Sequence, residues 1–207
     1  MIDLEKTSIM EKTNTKEKIQ RVAAKMFSER GFNKVSTREI AKAAGVNSAL
    51  IYYYFYSKED ILKSLYKFYA EERTKERPDL DELLRLVEIA PPHEVFERSQ
   101  YCCNEENREF LNNILFVAVK ELSSDPESER FIKEYVFDDI TYILKPLLQR
   151  MIDLGKVKPF DVEAFINLVF FYCFSAIALN NSSLRKTTPD YYSGLSYIYS
   201  LIVQVKE

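Results

Sequence analysis

The sequence predicts an all-α protein in two parts: a small N-terminal bundle of three helices, and a larger helical body joined to it by a fourth helix. Three observations carry this. Glycine is scarce, with four in 207 residues, about 2% against an ordinary usage of roughly 7%. Sandwiches, barrels and doubly wound α/β folds need glycine at turns and phosphate loops. Apolar residues recur at i, i+3 and i+4 in stretch after stretch, with no sustained period-two alternation and no internal repeat. Capping residues, glycines and prolines punctuate those stretches where helices start and stop. Hydrophobic residues make up 46% of the chain, enough for a sizeable core.

The elements follow in order. Asn14 with Glu17 reads as a capping box for a first helix over 15–30, whose stripe Ile19, Val22, Ala23, Met26 and Phe27 lies on one face. Ser36 with Glu39 starts a second helix over 37–44, and a short third covers 48–54. Ser57 with Asp60 starts a fourth that reaches about residue 73. The charged run 71–78 ends in Pro78 and marks a boundary, giving units over 13–73 and 74–207. Beyond it, helices are expected near 80–89, 93–102, 107–123, 127–154, 161–180 and 189–205. Pro92, Pro126, Pro159 and Pro189 stand near their starts, and Pro146, inside a helical pattern, predicts a kink. Gly31, Gly45 and Gly155 fall at helix ends; Gly194 fits no such place.

Charge divides along the same boundary. Residues 1–68 carry thirteen Lys/Arg against eight Asp/Glu, net +5, and residues 69–207 carry sixteen against twenty-four, net −8. The chain's overall −3 is thus an average over a basic head and an acidic body. The first residues lack a signal peptide's apolar run. Cys102, Cys103 and Cys173 do not form a disulfide framework, so a cytoplasmic protein is expected. The most apolar stretch, 164–179, includes Asn167 and Ser175 and falls short of the roughly 20 residues of a membrane span. No membrane partner is expected.

The motif lies at 36–55. Two short helices flank Gly45-Val46-Asn47; Ala41 is small enough for a close crossing, and Ile51, ten residues on, is buried. This is helix-turn-helix spacing, in which the second helix enters the major groove of DNA. Asn47, Ser48 and Ala49, small and polar at the start of that helix, suit close approach to base edges and phosphates. Five aromatics in a row cannot all face inward on a helix. Ile51 and Phe55 are expected inside, Tyr54 partly so, and Tyr52 and Tyr53 outside with hydroxyls free for phosphate oxygens. Lys58, a cation in a first helical turn, runs against the helix dipole. A phosphate contact would account for it, and so would an ordinary surface position.

The segments Phe27-Ser28-Glu29-Arg30-Gly31-Phe32, Ser36 to Ala41, Ala44-Gly45-Val46, Ile51 to Phe55 and Ser57 to Leu62 together resemble the DNA-binding domain of the TetR family of bacterial transcriptional regulators. The resemblance covers about residues 15–73, and the rest of the chain matches in length and helical pattern alone. It implies a homodimeric repressor that binds a palindromic double-stranded operator and is released by a small-molecule effector. By resemblance Thr37, Tyr52, Tyr53 and Lys58 would contact phosphates, and Arg38, Ser48 and Ala49 would face base edges or lie beside them. Leu50 departs from the family's small or polar residue, and either touches a thymine methyl or packs.

The resemblance also implies that the body holds a ligand cavity and a dimer bundle built from its last two helices. Phe96, Tyr101, Phe110, Phe116, Phe131, Tyr135, Tyr142 and Phe174 are candidates for an aromatic lining suited to an apolar or aromatic effector, with plain core packing as the alternative. Phe165, Leu168, Val169, Phe170, Phe171, Tyr172, Phe174 and Ile177 cover most of the circumference of their helix, so it must be buried on two sides. Phe165, Leu168, Phe171, Tyr172, Ile198, Leu201 and Ile202 are the candidate dimer contacts. Glu134, Asp138 and Asp139 form either a solvated face or a site for a cation. His93 reads as a surface or capping residue. No His/Cys/Asp grouping has ligand spacing, so no metal and no cofactor are expected. Cys102 and Cys103 read as buried small hydrophobes or, less simply, as a thiol sensor. No nucleophile–base pattern or phosphate loop argues for an enzyme. The alternative function is an all-helical adaptor that does not use its head on DNA.

Overall fold

The computed structural model describes residues 2–99, 105–179 and 191–202, with side chains from residue 15 onward except those of 105–106, 178 and 191–193. Among these residues eleven α-helices follow one another: α1 (Ile2–Arg30), α2 (Thr37–Ala44), α3 (Ser48–Tyr54), α4 (Lys58–Glu76), α5 (Leu80–Ile89), α6 (Pro92–Ser99), α7 (Glu105–Glu121), α8 (Pro126–Ile132), α9 (Asp138–Asp153), α10 (Val162–Leu179) and α11 (Tyr191–Ser200). A 3₁₀ turn, Phe32–Lys34, follows α1, and a π-helical turn, Lys133–Phe137, joins α8 to α9. No strand occurs among the described residues.

Most helix ends have a visible chemical cause. Ser36 and Glu39 form both halves of a capping box on α2. Ser57 caps α4 through the Asp60 amide, Asp79 caps α5, and Asp125 caps α8, with Pro126 at its start. Gly45 ends α2 at φ 65°. Its amide and that of Val46 donate to the carbonyls of Lys42 and Ala41, a Schellman closure. Gly155 closes α9 the same way, through Ile152 and Met151.

Several boundaries differ from the sequence reading. α1 begins at Ile2 rather than near residue 15, so Asn14 lies inside a helix and is no cap; residues 2–14 hold no glycine or proline to stop it. α4 runs to Glu76, three residues past the expected end near 73 and six residues into the charged run 71–78 taken as the boundary. The single helix expected over 127–154 is broken by the π turn. Pro146 does sit inside α9, yet the departure from α geometry falls at 133–137, before it.

Two apolar cores hold the molecule. The first joins Ile19, Ala23 and Phe27 of α1 to Ile40, Ile51, Phe55, Ile61 and Leu65 of the next three helices, and continues into Leu111, Ile114 and Ala118 of α7 and Phe131 of α8. The second gathers α5, α6, α9, α10 and α11 around Val87, Leu147, Leu148 and Ile166. Polar bonds reinforce the seam between α1 and α7. Arg21 donates to Asn107, the Ser28 hydroxyl donates to Asn113 Oδ1, and Lys120 Nζ donates to the Ser28 carbonyl at 2.6 Å. Gly194 has its explanation at the α10–α11 crossing: a Cβ there would stand 1.9 Å from the Tyr172 hydroxyl.

Gly45 is the position where backbone sign matters most for the motif. Gly45→Ala forces a Cβ into the left-handed region and should lower unfolding free energy by about 1–2 kcal/mol. Urea denaturation should report a lower midpoint with an unchanged slope.

Candidate nucleic-acid interface

The motif is built from the inside outward. Ala41 and Ile51, each 1% exposed, meet beneath the α2–α3 crossing, and Phe55 is buried where α3 ends. Asn47 accepts from the Ala49 amide at 2.9 Å and so starts α3. With that side of α3 buried, the opposite side is left to solvent. Arg38, Asn47, Ala49, Tyr52 and Tyr53 are exposed, and Thr37, Ser48 and Leu50 are half-buried on the same two helices. Leu50 therefore packs in part.

Two of the expected phosphate donors are already joined. Thr37 Oγ1 lies 3.3 Å from the Tyr52 hydroxyl, linking the first turn of α2 to α3. Tyr53 is 64% exposed and held edge-on against the half-buried Tyr54, ring centroids 4.9 Å apart. Tyr56, 93% exposed, received no role in the sequence reading. Its backbone is fixed, because its amide donates to Asp60 Oδ2. Its position between buried Phe55 and the Ser57 cap was the available signal.

Lys58 is placed differently from the simple expectation. Its ammonium donates to the Phe32 carbonyl at 3.0 Å and sits 4.3 Å from the centre of the Phe32 ring. A carbonyl and an aromatic face thus offset the unfavourable dipole without any phosphate. Glu39 accepts from the Ser36 hydroxyl and amide and from Arg30 at 2.7 Å. The Ser36 hydroxyl foremost, then Arg30, holds its carboxyl down to about 2. Arg30 also donates to the Lys34 carbonyl, so one cluster binds the end of α1, the 3₁₀ turn and the start of α2.

In the body, the expected aromatic lining is not gathered around one cavity. Phe110 lies in the first core beneath the Arg21 guanidinium, and Phe116 beneath the Lys120 ammonium. Phe96 lies in the second core, stacked on Tyr199 at 4.2 Å. Phe174 leans on Phe170, and Tyr142 is half exposed beneath Arg77. Tyr101, Cys102 and Cys103 lie outside the described residues. These rings are filled against cations and one another, a pairing that helical spacing does not reveal. A cleft of about 630 Å³ opens instead between α4 and the α8–π-turn segment. Tyr66, Ala70, Phe131 and Tyr135 line it among lysines and glutamates; of the expected lining, Phe131 and Tyr135 reach it. Asp138 pairs with Lys133 on the surface. Asp139 is buried and accepts from Arg73 at 2.8 Å and from Arg77, so it belongs to neither a solvated face nor a cation site.

The expected dimer contacts also divide. Leu168, Phe171 and Leu201 are exposed, Phe171 by 65%, and Tyr172 and Ile202 are half-buried. Phe165 and Ile198 are buried within the chain's own second core and are not open to a partner. Tyr197, four residues before Leu201, is exposed beside them in sequence and was missed; its i, i+4 spacing was the signal.

Residues 19–65 match the family model described as bacterial regulatory proteins, tetR family. A probable HTH-type transcriptional regulator of Bacillus subtilis, YttP, is 42% identical over 64 residues, which are 31% of each chain. The AcrR regulator of Shigella flexneri is 39% identical over 57 residues, 28% of this chain and 26% of that protein. The chain thus spans about a third or less of these curated relatives' own length. Solved structures extend the likeness in fold over nearly the whole chain. The ketosteroid transcriptional regulator KstR2 of Mycobacterium tuberculosis aligns with a TM-score of 0.62 at 18% identity, covering 92% of this chain and 95% of that one. PfmR, a TetR family regulator of Thermus thermophilus, aligns at 0.61 and 23%, covering 91% and 98%.

Glu39 generates a pH prediction. Its carboxyl titrates in the fold below its ordinary 4.5, so its charge contributes stability above pH 4.5, and that contribution is lost as pH falls towards 2. An NMR titration should place its midpoint near 2, and Glu39→Gln should flatten the head's acid dependence across that window.

Proposed function

We propose that the protein is a DNA-binding transcriptional regulator whose head reads a double-stranded operator. The observation that carries this is the exposed α2–α3 face, with Arg38, Tyr52 and Tyr53 presented from a rigid core, on a head matching tetR-family regulators. α3 enters the major groove. Of the joined hydroxyls of Thr37 and Tyr52, one donates to the other, which keeps its own proton and, together with Tyr53, donates to phosphates and sets the register. Arg38, Ser48, Ala49 and the open part of Leu50 face base edges. The Asn47 side chain caps α3 and leaves its first amides near the backbone. Lys58, with one of three ammonium donors given to Phe32, keeps donors for a phosphate.

Two copies pair through Leu168 and Phe171 of α10, Tyr197 of α11 and Leu201 just after it. Such pairing sets two recognition helices about one DNA turn apart, roughly 34–36 Å, and favours a palindromic operator. The output is repression by occupancy, relieved by a small apolar or aromatic effector; the α4–α8 cleft, with its aromatic floor, is its candidate site. The protein works in the cytoplasm and performs no catalytic step.

Arg38→Ala should weaken binding to a selected operator by at least about 10-fold and relax its specificity, while Lys58→Ala should reduce the salt dependence by roughly one charge, both read by fluorescence anisotropy at several salt concentrations. Unchanged binding would remove the α2–α3 face from the reading, and no retention of the unaltered protein on random duplex at low salt would favour the adaptor. Phe171→Glu should shift sedimentation from dimer to monomer, and a monomeric unaltered protein would sink the pairing.

A further inference from the structure

We propose that Asp139 is a positioning residue for DNA reading: a carboxylate of the body that fixes the far end of α4, and through it the tilt of the head. The inference rests on the regulator reading. α4 is a single helix of 19 residues, about 28 Å long. Its first turn is locked into the head, while its last turns carry Arg73 and lead to Arg77.

Beside its contacts with α7, Phe68 on Phe110 and Glu72 with Asn107, this helix is gripped at two places by the α8–α9 segment. At the first, Tyr66 stacks on Phe131 with centroids 4.4 Å apart, and its hydroxyl meets Ser128 at 2.6 Å. At the second, Asp139 receives Arg73 and Arg77, and the Arg77 guanidinium lies over Tyr142 at 4.7 Å. Between the grips lies the cleft, with Ala70, Glu71 and Thr74 on one wall and Glu134 and Tyr135 on the other.

Helical arithmetic explains why the π turn is there. Phe131 and Asp139 are eight residues apart. On a regular α-helix that separation leaves them about 80° apart around the axis. A π turn accommodates one extra residue, so the pair is spaced as if by seven, about 20° apart. With the π turn, the α8–α9 segment presents Phe131 and Asp139 to α4 along nearly one line. Loss of the second grip leaves the end of α4 to the Glu72–Asn107 bond and loosens it about the Tyr66–Phe131 stack. In a pair of subunits, that loosening changes the distance between heads and leaves each head's own reading surface intact.

The test uses the full chain with Asp139→Asn and, separately, with one alanine inserted after Glu134, which spaces Phe131 and the Asp139 carboxylate as if by eight and turns that carboxylate about 80° away from α4. DNA is selected by the unaltered protein from a random duplex pool, then cut to carry two half-sites or one. Both variants should lose at least 10-fold affinity for the two-half-site duplex, stay within twofold on the single half-site, and keep cooperative thermal unfolding. Amides of residues 70–76 should exchange at least 10-fold faster, with those of 58–66 unchanged. Equal losses on both duplexes would make Asp139 merely structural and overturn the inference. Unchanged two-half-site binding would overturn it as well, with the regulator reading intact. Selection of no duplex by the unaltered protein would instead bring down the regulator reading, and the inference with it.

Discussion

The packing of α1 on two sides is the constraint from which the rest follows. One side of the helix carries Ile19, Ala23 and Phe27 into the core shared with α2, α3 and α4. Another, through Arg21 and Ser28, is bonded to Asn107 and Asn113 of α7. A head on a flexible tether would have its own closed core. This one has α7 completing it, so the orientation of α3 is tied to the body. Asn107 extends the tie, because its amide also donates to Glu72 of α4. Movement of the head therefore has to be carried by helices, with little freedom left to a linker.

Electrostatics sharpens the same division. Among the described residues of the basic head, Lys16, Lys18, Lys25, Arg38 and Lys42 are exposed, while the cations that matter for architecture are occupied. Arg30 holds Glu39, Arg21 covers Phe110, Lys120 reaches the end of α1, and Lys58 holds the 3₁₀ turn. Each of these fixes a joint between elements. Burial also pushes the Tyr66 phenol well above its ordinary value, so it stays neutral and serves its stack on Phe131 and its bond to Ser128.

The helix-turn-helix was legible because its determinants are local. A cap and its partner three residues on, a glycine with positive φ and an aromatic run too dense to bury are all readable within twenty residues, and the exposed and buried members of that run fall as the periodicity predicts. The body was legible as helices and much less as contacts. Whole-circumference apolarity on α10 called for burial on two sides without saying which side the chain's own core takes; that depends on α9 and α11, and Phe165 went inside while Leu168 and Phe171 stayed exposed. The π turn left no mark, since Lys133 to Phe137 contain neither glycine nor proline and the extra residue is dictated by α4 across the cleft. Asp139 was misread for the same reason. Its two arginines lie 66 and 62 residues upstream.

The contact between Thr37 and Tyr52 bears on how tightly the face can hold what it meets. Both side chains would otherwise rotate, and a ligand would have to freeze them on arrival. Here the 3.3 Å contact limits both torsions already in the free chain, and the half-buried threonine restricts them further. The entropy of ordering these donors is lost during folding, when the core compensates for it, and not at association. A site prepared in this way departs slowly from its ligand without needing more contacts.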